Sequence, residues 1–453
     1  MKKSICILMI LSMLFALAAC GAPSQPAAAP AETAPVETSA PTPEPVVLGT
    51  VTYYNDDPAL EQAWESLAAL YGAQTGVEVK VVSPAAGTYE QQLAADLDGA
   101  AAPTLFVLSG YKQLASFRDK CYDLSGSEAA AQLFSDRFAL RDGGAVLGLA
   151  YSLETYGLIT NQTLLDAAGY TVDNINCFED LKKVAEVITR RSQKLGFAAF
   201  SSAGLDSSSE ARFNTVLANL PLYYEMLESG SPLPETIRGT YLDNYRAIWD
   251  LYLNNSTCKS AEIPGKTAED SRNEFLAGKA VFYQSSADDY ENLKDSFAEG
   301  ELTMMPIYFG VGDEEYQGLC TGSQHYWCVS AAASELDREA TLDFLTWLTT
   351  APEALTVLAN EMRLELPFRG APESVNPCER ANRTMIELGL EPVTLCFELI
   401  PSENWKINLS AALAGYAAGS SDWDRVVSCF TGAPVDVSEE GESAAPAETA
   451  AAN

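Results

Sequence analysis

Histidine is almost absent from this chain, which has a single one, His325, in 453 residues. A Ser-His-Asp triad would have to use that residue, and the nucleophile pattern GxSxG does not occur. The pair CxxC and the phosphate-binding patterns GxGxxG and GxxxxGK[ST] are missing as well. We therefore expect no metal, no cofactor and no triad, redox or nucleotide chemistry, and we expect His325 to be hydrogen-bonded rather than catalytic.

Positive charge is also scarce, with 28 Lys and Arg against 62 Asp and Glu, for a formal net charge of −34. Nucleic acids and anionic bilayers attract proteins through Lys and Arg. Neither is an expected partner of such a surface. The acidity mainly promotes solubility and repels other anions.

The apolar stretch at residues 5–17 is too short for a stable membrane-spanning helix. Lys2 and Lys3 precede it, and Leu-Ala-Ala-Cys, ending at Cys20, follows it. This is the layout of a secretory signal peptide, here residues 1–19. The cysteine at the cleavage point resembles the lipobox of bacterial lipoproteins, in which the thiol is acylated and becomes the new N-terminus. We expect a lipid on Cys20 to anchor the chain to the extracytoplasmic face of the cell membrane; the alternative is a plain signal peptide that contains a cysteine.

The segments at the two ends of the mature chain differ in composition from its body. Residues 20–45 are rich in Pro, Ala, Thr, Ser and Glu and are expected to form a disordered linker. Residues 431–453 are expected to form a disordered acidic tail. The part between them has ordinary globular composition, and its length favours two domains.

Eight cysteines remain beyond Cys20, an even number that permits disulfides in an exported chain. The sequence does not choose their pairing. Cys320 and Cys328 are near enough in sequence for a loop-closing bridge and are one candidate pair.

Strand and helix patterns alternate along the first part of the body. Thr50–Tyr54 is a strand candidate, and apolar residues then recur at helical spacing, at Leu60, Trp64, Leu67 and Tyr71. Residues 77–81 alternate between valine and charged residues, as in a strand with one wet face. Leu105–Leu108 is a fully apolar run typical of a buried parallel strand. This order predicts βαβ units and an α/β fold.

Five segments, in this order, resemble the extracellular solute-binding proteins of bacterial ABC importers, the family that includes the maltose-binding proteins. They are YGAQTGVEVKV at 71–81, APTLFVL at 102–108, TYGLITNQTLLDAAG at 155–169, FLAGKAVF at 275–282 and YWCVSAAASELDREATLDFLTWL at 326–348. Together they span nearly all of the globular body.

The resemblance implies a two-lobe α/β fold with the ligand cleft between the lobes, closing by hinge motion. We place lobe one at 46–153 and 305–352, and lobe two at 154–304 and 353–430. It also implies a binding protein rather than an enzyme, a monomer that captures a small solute and delivers it to the permease subunits of an ABC importer. The solute class expected from the resemblance is a sugar or oligosaccharide.

The turn after the first strand supplies the first candidate ligand contacts, Asn55 and Asp56. Clefts of α/β sheets lie at strand ends, and planar amides and carboxylates suit vicinal hydroxyls. The alternative is a structural turn, since Asp56 or Asp57 before Pro58 is a good start for a helix.

The resemblance implies further contacts at the family's ligand-facing positions. They are Tyr111 after the apolar strand, Glu154 before TYGLITN, Gln284 at the end of the strand that follows FLAGKA, Gln324 and Tyr326 in a Gly-rich loop, and Trp405 as a stacking platform. For Trp405 the alternative is a core tryptophan beneath the last helices. Ala287 occupies the place of a stacking tryptophan in the maltose-binding relatives, which puts malto-oligosaccharide itself in doubt.

Other functions remain open at this point. A polyamine or other cationic solute would suit an acidic cleft in the same fold. Sixty-two acidic residues offer many carboxylate pairs, so a surface glycoside-active enzyme is a further alternative. A purely adhesive lipoprotein is the third.

Overall fold

The computed structural model describes residues 48–99 and 102–432. The predicted signal peptide, the lipidation site Cys20, the linker and nearly all of the predicted tail lie outside these residues. Among the described residues, no helix combines the length and the apolar character needed to cross a membrane.

The strands are β1 Thr50–Tyr54, β2 Glu78–Val82, β3 Leu105–Leu108, β4 Ala139–Asp142, β5 Ala145–Ala150, β6 Glu154–Asn161, β7 Ala198–Phe200, β8 Ala280–Ser286, β9 Leu302–Met305, β10 Gln317–Gly322, β11 Tyr326–Val329 and β12 Glu391–Val393. The helices are α1 Glu61–Thr75, α2 Tyr89–Asp96, α3 Tyr111–Phe117, α4 Glu128–Ala131, α5 Gln162–Ala168, α6 Phe178–Leu195, α7 Asn219–Ser229, α8 Leu242–Asn255, α9 Ala268–Leu276, α10 Tyr290–Leu293, α11 Glu335–Thr350, α12 Pro352–Thr356, α13 Pro377–Glu387, α14 Glu403–Ala418 and α15 Trp423–Thr431. Arg212–Leu217 and Val357–Glu361 form short π-helical segments.

The first lobe is built on a six-stranded sheet in the order β2-β1-β3-β11-β5-β4. β1 pairs in parallel with β2 and β3, and the remaining pairs are antiparallel. Three of the four residues in the predicted stripe are confirmed, because Trp64, Leu67 and Tyr71 are buried on α1. Leu60 precedes the helix and is half-buried. Gly76 ends that helix with a positive φ of 78°, a conformation that glycine adopts without strain.

The second lobe is built on the order β12-β10-β6-β8-β7, with β9 also pairing with β6. β6 is eight residues long, so its first half pairs with β10 and its second half with β9. Helices cover both sheets; the first sheet packs into one hydrophobic core and the second sheet into two. The predicted α/β class and two-lobe architecture are confirmed.

The chain passes between the lobes three times, through residues 151–153, 323–325 and about 369–376. Two segments belong to a different lobe from the predicted one. β10, within the predicted lobe-one range 305–352, pairs with β6 of the second sheet. Leu358 and Phe368, within the predicted lobe-two range, are buried in the first lobe's core. Both lobes have the same α/β composition, so the sequence carries no change of pattern at these crossings.

The last helical region is two helices, α14 and α15, separated where Gly419 adopts a φ of 70°. One local expectation also differs from the structure. The candidate disulfide partners Cys320 and Cys328 lie on β10 and β11, in different sheets, and both thiols are free.

Candidate functional site

A cavity of about 810 Å³ opens between the two lobes. The first lobe contributes residues 109–111, 136–137, 139–141 and Tyr326. The second lobe contributes residues 394–395 and 397–398, part of 226–232 and Lys406. Tyr111, Gln324 and Tyr326, three of the predicted contacts, line this cavity together.

Aromatic side chains from both lobes line the cavity. Tyr111 and Phe397 are half-buried, whereas Tyr326 is only 7% exposed. Phe397 is held in place by an edge-to-face contact with Tyr156, with ring centroids 5.9 Å apart. Burial raises the pKa of Tyr326, so its hydroxyl stays neutral and can donate. Such rings offer flat apolar faces of the kind that pyranose C–H surfaces need.

Glu398 spans the cleft from the second lobe to the start of α3. The backbone N–H groups of Tyr111 and Lys112 donate to its two carboxylate oxygens, at 3.1 and 2.7 Å. The approach is possible because Gly110 has no side chain; a Cβ there would lie 2.7 Å from the carboxylate. Burial raises the pKa of Glu398, while these two hydrogen bonds act to lower it.

The charged groups of the cavity are largely paired. Arg137 forms an ion pair with Glu391 across the lobes. Arg141 lies 3.4 Å from Asp136, and Lys406 lies 2.6 Å from Glu403. A ligand in this cavity therefore meets few charges that lack a partner.

Asn55 and Asp56 sit at the end of β1 as expected, but they do not line the cavity. Asn55 is fully buried, and its side chain donates to the Asp57 carbonyl and to Ser83 Oγ. Asp57 caps the following turn by accepting from the Ala59 N–H, with Pro58 at its first position. This turn therefore has the structural role that we gave as the alternative to ligand binding.

The carboxylate of Asp56 is hydrogen-bonded to two aromatic side chains. Tyr151 Oη donates to one carboxylate oxygen at 2.9 Å, and His325 Nδ1 lies 2.6 Å from the other. Burial acts to lower the pKa of His325, but the hydrogen bond and negative charge of Asp56 outweigh it, so that pKa is raised. His325 is hydrogen-bonded, as its residue type and isolation led us to expect.

Glu154 lies beside the cavity, at the crossing into β6. One of its oxygens accepts from Gln324 Nε2 and the other from Tyr156 Oη, both at 2.8 Å. Glu154 thereby positions Gln324, which is exposed and lines the cavity.

Gln284 and Trp405 are both in the interior of the second lobe. Gln284 is 3% exposed and donates to the Arg212 carbonyl. Trp405 is 7% exposed, packs on Phe430 and donates its indole N–H to the Phe430 carbonyl at 2.8 Å. The geometry of Trp405 fits the core alternative, because its indole N–H is already hydrogen-bonded to the last helix.

Residues of the cavity that the sequence did not point to are Arg137, Arg141, Thr215, Phe397 and Glu398. The strand-end rule would have found Phe397 and Glu398, which follow β12 within five residues. β12 has only three residues and one is proline, so it carries no recognisable strand pattern.

The fold and the cleft define a two-lobe binding protein of the extracytoplasmic type, with a ligand site between the lobes. The sequence matches the family model described as bacterial extracellular solute-binding protein over residues 66–370, and the chain belongs to that family. No curated protein sequence matches it.

Solved structures share the fold at low sequence identity. One is a family 1 extracellular solute-binding protein from Bifidobacterium longum subsp. infantis, with 15% identity, a TM-score of 0.64 and coverage of 85% of this chain and 98% of that one. Another is the apo form of RafE from Streptococcus pneumoniae, with 14% identity, a TM-score of 0.63 and coverage of 85% and 97%. A probable secreted solute-binding lipoprotein from Streptomyces coelicolor has 14% identity, a TM-score of 0.64 and coverage of 86% and 99%.

Proposed function

We propose that this solute-binding protein captures a sugar or oligosaccharide between its lobes and delivers it to the permease of an ABC importer. The observation that carries the proposal is the composition of the cavity wall, which the aromatic residues Tyr111, Tyr326 and Phe397 line from both lobes. Thr215 and Gln324 add uncharged polar groups to the lining. Sugars need this combination of apolar faces and hydrogen-bonding groups.

Similar structures support the same ligand class. RafE has been solved in complex with raffinose, and another neighbour is a chitin oligosaccharide binding protein. An 810 Å³ cavity is large enough for an oligosaccharide of a few rings.

A cationic ligand fits this cavity less well. A polyamine needs carboxylates that are free to accept, but Glu398 already accepts from two backbone N–H groups. Asp136 faces Arg141, and the carboxylates of Glu391 and Glu403 are paired with Arg137 and Lys406. We infer a neutral ligand, and we infer binding without turnover.

The lipid anchor on Cys20 is part of the same proposal. The described residues contain no helix suited to crossing a bilayer. A lipid on the N-terminal cysteine would keep the receptor beside its permease.

The test is a thermal-shift and calorimetry screen with raffinose, chito-oligosaccharides, galactose and polyamines as probes. We expect a stabilising sugar and no shift with polyamines. Phe397→Ala should then weaken binding of that sugar by about 30-fold, corresponding to about 2 kcal/mol for a central aromatic contact.

Tyr316→Ala is the matched control, because Tyr316 is 56% exposed and does not line the cavity. Its affinity should equal that of the parent. Stabilisation by polyamines alone, or release of cleaved sugar during the titration, would contradict the proposal.

A further inference from the structure

A ring of hydrogen-bonding side chains lies where the chain crosses between the lobes, with Thr155, Thr321 and Asn382 buried and Glu365 half-buried. Glu365 Oε2 is 2.7 Å from Thr155 Oγ1, which is 3.3 Å from Thr321 Oγ1. Thr321 Oγ1 donates to Asn382 Oδ1 at 2.9 Å, and Asn382 Nδ2 donates to Glu365 Oε1 at 2.6 Å. The four side chains thus form a closed circuit.

The circuit joins the two lobes. Thr155 and Thr321 are on β6 and β10 of the second sheet, and Asn382 is on α13. Glu365 belongs to a segment whose neighbours Met362 and Leu366 are buried in the first lobe's core. Its backbone carbonyl also accepts from Leu153 N–H, in the first crossing segment.

The circuit lies on the opposite face of β6 from the ligand cleft. Successive side chains of a strand point to opposite faces. Glu154 and Tyr156 point to the cleft side, where they contact Gln324 and Phe397. Thr155, between them, points to the other side, where Glu365 lines a separate cavity of about 530 Å³.

Counting hydrogens shows which protonation state completes the circuit. If Glu365 is neutral, its hydroxyl donates to Thr155, Thr155 donates to Thr321, and Thr321 donates to Asn382. If Glu365 is ionised, Thr155 must donate to it, and no hydrogen remains between the two threonine oxygens. Ionisation therefore removes one hydrogen bond and places a negative charge at a half-buried position beside three buried polar side chains.

The charged groups around Glu365 do not compensate that charge. Burial raises the pKa of Glu365 to about 8, and the negative charges of Glu379 and Asp288 add to the rise. The pKa values of Glu379 and Asp288 are themselves raised by burial.

The nearby cations are bonded elsewhere. Arg363 and Lys294 contact Glu291. Arg380 donates to the Ser374 carbonyl, and Arg383 contacts Glu387 and the Phe368 carbonyl.

We propose that Glu365, Thr155, Thr321 and Asn382 form a proton-dependent lock behind the hinge, closed when Glu365 is protonated and released when it ionises. A rotation that narrows the cleft must widen the opposite side of the crossing strands. The protonated lock therefore resists further narrowing of the cleft, and its release makes closure easier.

X-ray scattering of the ligand-free chain between pH 6 and pH 10 tests this inference. The parent should become more compact, with a midpoint near pH 8. Glu365→Gln, whose amide donates to Thr155 and accepts from Asn382 at every pH, should keep the radius of gyration that the parent has at pH 6. Thr155→Val, which interrupts the circuit, should resemble the alkaline parent at every pH.

Thermal melting provides the second readout. The raised pKa of Glu365 means that the folded state holds a proton which the unfolded state has lost, between about pH 4.5 and pH 8. Its stabilisation is thus present below that window and lost as the pH rises through it. The melting temperature of the parent should fall relative to that of Glu365→Gln over this range.

Controls separate the lock from other titrations. His325→Gln should keep the transition near pH 8, and circular dichroism should show that each variant is folded. The inference is overturned by a parent profile that is flat or expands with pH, or by the same transition in Glu365→Gln. No sugar enters these measurements, so their outcome is independent of the ligand class proposed above.

Discussion

Among single residues, Trp405 allows a packing role to be distinguished from a ligand-binding role by substitution. Its indole is 7% exposed and bonded to the Phe430 carbonyl. Trp405→Ala should lower the free energy of unfolding by about 3–5 kcal/mol, because it leaves a cavity beneath α15 and an unpaired carbonyl. Denaturant unfolding measures this loss, and sugar affinity of the folded fraction should match the parent.

Phe397→Ala provides the comparison, since Phe397 is a half-buried residue of the cavity wall. Its melting temperature should change little while sugar affinity falls. A Trp405→Ala protein of normal stability and weakened affinity would restore Trp405 as a ligand platform.

The pair of His325 and Asp56 gives a pH-dependent prediction. The pKa of His325 is raised in the folded state, so its protonated form stabilises the fold. That contribution is complete below the ordinary value near pH 6.5 and is lost as the pH rises through the folded-state pKa. We expect the difference in melting temperature between the parent and His325→Gln to be largest at pH 5 and to shrink as the pH rises above 6.5; a difference independent of pH would contradict the pairing.

At the scale of elements, β6 directly follows the first crossing between the lobes, and it pairs with several strands of the second sheet. Gly157 lies in its centre, and a Cβ there would be 2.7 Å from Met304 Cγ and 2.7 Å from the Met305 carbonyl oxygen of β9. Gly157→Ala should therefore push β9 away and cost about 1–3 kcal/mol of stability, measured by denaturant unfolding.

Gly144→Ala is the matched control for this substitution, because a Cβ at Gly144 meets nothing within 4 Å. Its stability should lie within about 0.5 kcal/mol of the parent. Equal losses in the two variants would mean that β9 does not pack on Gly157 as described.

For the whole molecule, the three crossings between lobes predict hinge closure on ligand. A saturating sugar should reduce the radius of gyration in solution scattering, because closure removes solvent from the cleft. An unchanged profile at saturation would exclude a hinge mechanism.

The lipid anchor is also a property of the whole molecule. Cys20→Ala should release the protein from membranes or leave an uncleaved precursor, because the proposed attachment is lipid on that thiol. Fractionation of expressing cells is the measurement, and a mutant that stays with the membranes as the parent does would exclude this anchor.

The sequence by itself determined the features that depend on local pattern. Trp64, Leu67 and Tyr71 share one face of α1 because helical spacing places them there, and Leu105–Leu108 is buried because both faces of that strand are covered. The order of such elements was enough to predict an α/β fold and, through the family's motifs, two lobes.

Only the tertiary structure decided which side chains meet in the cleft. Phe397 and Glu398 are about 285 residues from Tyr111 along the chain, and they reach it because the crossings bring α3 and the end of β12 together. The position of Trp405 also depends on a contact between separate elements, because its indole N–H donates to the carbonyl of Phe430. Periodicity records which face of an element is apolar, whereas contacts between distant elements depend on how the lobes are joined, which no local pattern in the chain specifies.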